Sequence, residues 1–107
     1  MDKKETTSPE KEAALKALRA QFTGTDPPTQ ITLLAAALKL FSISTFEISR
    51  FLDIYHPAGR IKDLRKRGYN ILTVWTTAET EAGVPHRIGR YVLLAEPSQT
   101  EPMEQAA

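Results

Sequence analysis

Apolar residues recur along this chain at helical spacing as far as Gly68 and at strand spacing beyond it. Ala14, Leu15, Leu18 and Phe22 fall three and four apart, the period of an amphipathic helix. Ser8-Pro9-Glu10-Lys11 supplies the start of that helix, with Ser8 as N-cap and Pro9 at the first helical position. The pattern predicts a short helix over about 9–22, ended by Gly24 and by the break Thr25-Asp26-Pro27-Pro28. Thr29 to Phe41 is the most apolar segment. Ile31, Leu34, Leu38 and Phe41 stand at core spacing there, with Ala35, Ala36 and Ala37 small enough to let a neighbouring helix approach closely. Ser42-Ile43-Ser44 reads as a short connection. Ser44 or Thr45 caps the next helix, and Glu47 lies in capping-box register with Ser44. Phe46, Ile48, Phe51 and Leu52 are the apolar positions of that helix, which ends near Asp53.

The stretch His56 to Gly68 has the clearest boundaries in the chain. Pro57 suits the first turn, because its fixed φ matches the helix and the amide it lacks has no partner there. Gly68 suits the left-handed closing position, and Arg65, Lys66 and Arg67 crowd the last turn, where the helix dipole favours cations. At about 100° per residue, Ile61 and Leu64 share a face with Ala58. Gly59, Lys62, Asp63 and Lys66 face the other way, and Arg60 and Arg67 lie on a flank. Such a helix is held by two or three residues and presents nitrogen donors outward.

Beyond Gly68 the period changes. Tyr69 to Trp75 is rich in β-branched and aromatic residues and predicts a strand. Thr76 to His86 is polar and holds Gly83 and Pro85, which predicts a loop. Arg87 to Leu94 predicts the returning strand of a hairpin. A three-helix core followed by a C-terminal hairpin, with one extra N-terminal helix, is the plan of an α+β winged helix-turn-helix. The organisation expected is an N-terminal arm over 1–27, the domain over 28–94 and a flexible acidic tail over 95–107.

Composition narrows the class. The 107 residues suit one small domain. With no cysteine there is neither a disulfide framework nor a Cys-based zinc site. His56 and His86 have no Asp, Glu or Cys set around them, so no metal is expected. No Gly-rich phosphate loop and no nucleophile–base–acid arrangement stands out, so neither an enzyme nor a cofactor is expected. No apolar run nears the roughly 18 residues of a membrane span, and Met-Asp-Lys-Lys-Glu leads into no signal-peptide core; a soluble, cytoplasmic protein is expected. The net charge is only +1, but its distribution is uneven. Residues 56–94 carry seven basic side chains against three acidic, while residues 95–107 carry three glutamates and no cation. Positive charge gathered in one third of the chain matches a nucleic-acid footprint, and also a solvated basic helix face.

The run Phe46 to Ile71 resembles a small helix-turn-helix domain family of bacteria and their phages. The likeness rests on the turn Leu52-Asp53-Ile54 and the helix Ala58-Gly59-Arg60-Ile61-Lys62-Asp63-Leu64-Arg65. The strand start Gly68-Tyr69-Asn70-Ile71 and the late strand Arg90-Tyr91-Val92-Leu93-Leu94 complete it. It covers about residues 29–94 and implies double-stranded DNA as partner, read by the 57–67 helix in the major groove. A small transcriptional regulator is the first role expected and a recombination accessory factor the second. The lead Tyr55-His56-Pro57 is tighter than the Ser/Thr-rich lead of the commonest winged-helix regulators, so contact positions do not transfer by counting.

On this reading Lys62 and Lys66 meet DNA from the exposed face, with Arg60 and Arg67 on the flank. Gly59 either permits close backbone approach or is merely tolerated. Asp63 can accept from cytosine or pair with Arg67, and the pair is preferred. Arg65, nearer the apolar stripe, is structural. Glu79 and Glu81 at the wing tip repel phosphate, so wing contacts are expected from its base, through His86, Arg87 and Arg90. Trp75 and Tyr91 are read as hydrophobic anchors. A homodimer on a two-part site is expected. The 9–22 helix is the candidate link, although docking on its own core is its first expectation. The alternative is a winged-helix protein-interaction module, favoured by the near-neutral total charge and the acidic wing and tail.

Overall fold

The computed structural model describes residues 7–79 and 82–97. Helix α1 (Pro9–Gln21) begins at Ser8, whose Oγ accepts from the Lys11 amide at 3.1 Å. It docks on α2 and α3: Leu15 is fully buried, and Leu18 and Phe22 pack against the core. The apolar face that could have joined two copies is therefore used within the chain. Helix α2 (Pro27–Leu40) starts two residues earlier than the apolar pattern indicates, because Asp26 caps it by accepting from the Thr29 amide at 3.2 Å. Ile31, Leu33, Leu34, Ala35, Ala37 and Leu38 are all buried. A helix that packs on α1, α4 and β3 needs apolar residues on most of its circumference.

Ser42-Ile43-Ser44 is more than a connection. Ile43–Ser44 forms a two-residue strand, β1, with Ile43 opposite Tyr91 and Ser44 opposite Arg90. Isolated from its partner, so short a segment carries no period by which to recognise it. Helix α3 (Thr45–Phe51) follows directly, and its capping box forms as expected. The Glu47 amide donates to Ser44 Oγ at 3.1 Å and the Ser44 amide donates to Glu47 Oε1 at 3.0 Å. The turn to helix α4 (Pro57–Lys66) runs through Asp53, which takes a left-handed φ of 57°. Leu52 and Ile54 on either side are fully buried.

Strands β2 (Asn70–Glu79) and β3 (Pro85–Ala95) form an antiparallel hairpin in a sheet of order β1-β3-β2. The ladder extends to Glu79 opposite Pro85, so most of the segment read as a loop over Thr76 to His86 is strand. Thr76 and Thr77 are β-branched, and a partner strand supplies the hydrogen bonds that their polarity alone does not call for. The outer part of this hairpin is the wing. Glu81 and the tail from Ser98 lie outside the described residues. Glu96 is in place, 3.4 Å from Lys39.

Candidate nucleic-acid interface

Helix α4 brings cations together on a rigid mount. Pro57, Ile61 and Leu64 are buried and define one narrow stripe. Lys62 and Lys66 are exposed on the side away from it, with half-buried Gly59 beside them. Ala58 is exposed rather than part of the buried face. With Pro57 in the stripe, the stripe's centre shifts by about 30°, and Ala58 falls on the flank shared with Arg65.

The end of the helix is closed as its residues require. Gly68 has φ +99°, its amide donates to the Arg65 carbonyl at 3.1 Å, and the Tyr69 amide donates to the Leu64 carbonyl at 3.1 Å. This is a Schellman closure. The Arg65 side chain then ties α4 to the sheet, donating to the Ile71 carbonyl at 2.7 Å and to Thr73 Oγ1 at 2.9 Å. Its structural assignment holds.

The arginines on the opposite flank behave differently from one another. Asp63 pairs with Arg60, at 3.1 Å from Nε, and not with Arg67. Arg67 sits at the C-cap and lines a groove with Phe22, Ile31 and Tyr69. Arg60 is 21% exposed and ion-paired with Asp63, although its buried Nε makes no hydrogen bond. Arg67 stays exposed at the helix end.

The basic residues of the wing are not one patch. Successive strand residues point to opposite faces, and the register puts Arg87 on the face of Ile71, Thr73 and Tyr91, with His86 and Arg90 on the other. His86 and Arg87 are exposed. Arg90 is half-buried, 3.6 Å from Glu47, and belongs to the ion-pair network at the start of α3. In that network Glu47 is 2% exposed, and Lys11 Nζ donates to it at 2.9 Å. Burial alone raises the Glu47 carboxyl pKa. The donors Thr7 Oγ1, the Ser44 amide and Lys11 Nζ outweigh burial and hold the group below its ordinary range.

Two aromatics stand exposed outside the expected set. Tyr55 is 85% exposed, with its ring edge-on to His56 at 4.7 Å. Its place between buried Ile54 and Pro57, where helical period lapses, left it without a sequence signal. Trp75 is 57% exposed, which corrects its reading as a hydrophobic anchor. Tyr91, 8% exposed, is the anchor on that sheet face. Among the described residues no group of His, Cys, Asp and Glu is placed to hold a metal ion, and no helix is long and apolar enough to cross a membrane.

Comparison with known proteins gives one match. A family model described as a winged helix-turn-helix domain matches residues 29–96, from the first turn of α2 to just past β3. No curated protein and no solved structure matches the chain.

Proposed function

The chain belongs to the winged helix-turn-helix domain family, and on that premise we propose that it binds double-stranded DNA with α4 in the major groove. The observation that carries this reading is the exposure of Lys62 and Lys66 on a helix whose opposite face is locked into the core by Pro57, Ile61 and Leu64. Lysine acts chiefly as a point charge to phosphate, and a guanidinium can pair with guanine through two bonds. Lys62 and Lys66 therefore supply most of the affinity, and Arg67 at the helix end is the arginine best placed to read a base. Gly59 lets the duplex approach the backbone. Arg60, held by Asp63, orders the helix flank, and Arg90 serves the fold. Arg87 and His86 contribute from the two faces of the wing.

The role this favours is a small transcriptional regulator. A single module of this kind buries about 600–1,000 Å² on DNA, so two copies on a two-part site are the expected assembly. With the apolar face of α1 docked on its own chain, the contact between them lies elsewhere.

The test is binding of random-sequence duplex DNA across a salt series, for the wild type and for Lys62→Ala/Lys66→Ala. Affinity should fall steeply with salt, and the double variant should show a slope shallower by up to about two ions. A folded protein that fails to bind duplex at low salt overturns the reading and leaves protein docking.

A further inference from the structure

Trp75 is the chain's single tryptophan and stands in an unusual setting. It lies on β2 opposite Gly89, on the sheet face that carries Ile71, Thr73 and Tyr91. Further inward on that face Tyr91 is buried, as an aromatic serving the core should be, whereas Trp75 keeps more than half of its surface in solvent. Gly89 opposite the ring is not required by it, since an added Cβ would meet only ordinary contacts. A Cβ there would stand 3.7 Å from Trp75 Cζ3 and 3.4 Å from the Thr73 methyl. The Arg87 guanidinium carbon lies 4.7 Å from the ring centroid, within the range of a cation–π contact. The indole thus has an arginine against it and is still not covered.

The location gives this arrangement a direction. Thr73, two residues before Trp75 and on the same face, accepts from Arg65 of α4 at 2.9 Å. Two strand residues span about 7 Å, so the exposed ring stands next to the point where α4 is fastened to the sheet. A DNA strand leaving α4 on the side of Arg65 would meet Trp75 next.

We propose that Trp75, backed by Arg87, is a stacking platform for an unpaired nucleobase, and that the protein binds best where a duplex held by α4 passes into single strand. This rests on the DNA-binding reading above. A flat indole offers a base its π-face whatever the base's identity, and the adjoining guanidinium meets the neighbouring phosphate. Bases inside an intact duplex are already stacked on one another and must be unstacked before an aromatic side chain can cover them. An unpaired base carries no such cost. Lys62 and Lys66 then supply duplex affinity, and Trp75 adds selectivity for the end or junction.

Because no other tryptophan is present, fluorescence excited beyond the absorption band of the three tyrosines reports on Trp75 alone. The full chain is titrated with three DNAs: a blunt duplex, the same duplex with a single-stranded overhang, and that overhang with its bases removed. The base-bearing overhang should quench the fluorescence and bind about tenfold more tightly than the blunt duplex, within the range measured for one stacked base. The abasic overhang should do neither. Trp75→Ala should lose the tenfold preference while keeping blunt-duplex affinity, and Trp75→Phe should retain most of it. Equal binding of all three DNAs by the wild type overturns the platform and leaves the DNA-binding reading standing, whereas failure to bind any of them overturns both. A fluorescence change on diluting the protein without DNA also overturns it, by showing the ring covered by a second copy.

Discussion

Glu47 is a carboxylate with almost no contact with water, and four groups make that tolerable. Thr7 Oγ1 donates to it at 2.6 Å, the Ser44 amide at 3.0 Å and Lys11 Nζ at 2.9 Å, with Arg90 at 3.6 Å. The same oxygens cap α3 and fasten α1 to it, so one side chain joins two helices. Removing one partner of a buried ion pair costs about 3–5 kcal/mol, because the other charge is left uncompensated. Lys11 keeps 15% of its side chain in solvent, so Glu47→Gln should cost less, about 2–3 kcal/mol, measured by denaturant unfolding at neutral pH. The carboxyl titrates lower in the folded chain than in the unfolded one, so between those two values the unfolded chain binds the extra proton. Its contribution is complete above the unfolded pKa of about 4.3 and drains away as pH falls through the lower folded value. A pH series should show the wild type losing stability on acidification more steeply than Glu47→Gln. Parallel acid limbs would remove Glu47 as the cause.

At the scale of elements, α4 depends on its closure. Its apolar stripe is three residues wide, too little to hold ten residues without good ends. Gly68 stands at φ +99°, where a Cβ is strained, and that Cβ would also press on Pro97 at 3.3 Å. Gly68→Ala should destabilise the domain by about 1–2 kcal/mol. Displacement of α4 should also weaken duplex binding beyond what the stability loss explains, read by comparing affinity with unfolding midpoint. The turn before α4 uses a different device. Asp53 takes φ 57° without being glycine, a position that aspartate tolerates better than most residues. Its carboxylate lies 3.5 Å from Arg19 of α1, so the turn is also braced from outside.

For the whole molecule, the family match begins at residue 29, yet α1 upstream of it is part of the body. Leu15 is buried without residual exposure, and Lys11 reaches across to the Ser42 carbonyl at 2.7 Å and to Glu47. Leu15→Ala should cost about 2–5 kcal/mol. It should broaden the unfolding of α2 and α3 as well as α1, seen in hydrogen exchange of all three. Exchange confined to α1 would mark it as an appendage. The wing obeys the opposite rule. Toward its tip, past buried Ile88, the residues from Ala82 to Arg87 are exposed, so side chains there meet solvent or a partner.

The amphipathic periods, the caps at Ser8 and Ser44, Pro57 at the start of α4 and Gly68 at its end were all legible in the residues themselves. Each depends on neighbours within about four positions, and the order of these elements led to the winged helix-turn-helix plan that the family match supports. The basic face of Lys62 and Lys66 was legible for the same reason, since period alone places it opposite Ile61. What the residues could not disclose was which side of each element meets another. β1 exists only because β3 lies beside it. Arg90 and Arg87 are three residues apart in one strand, yet the sheet register sends one to Glu47 and the other to Trp75. Tyr91 and Trp75 share a sheet face, yet one is buried and the other exposed. Local energies act over a few residues and are written in local sequence, whereas burial and ion pairing join groups far apart in the chain, such as Lys39 and Glu96, and follow from how the elements dock.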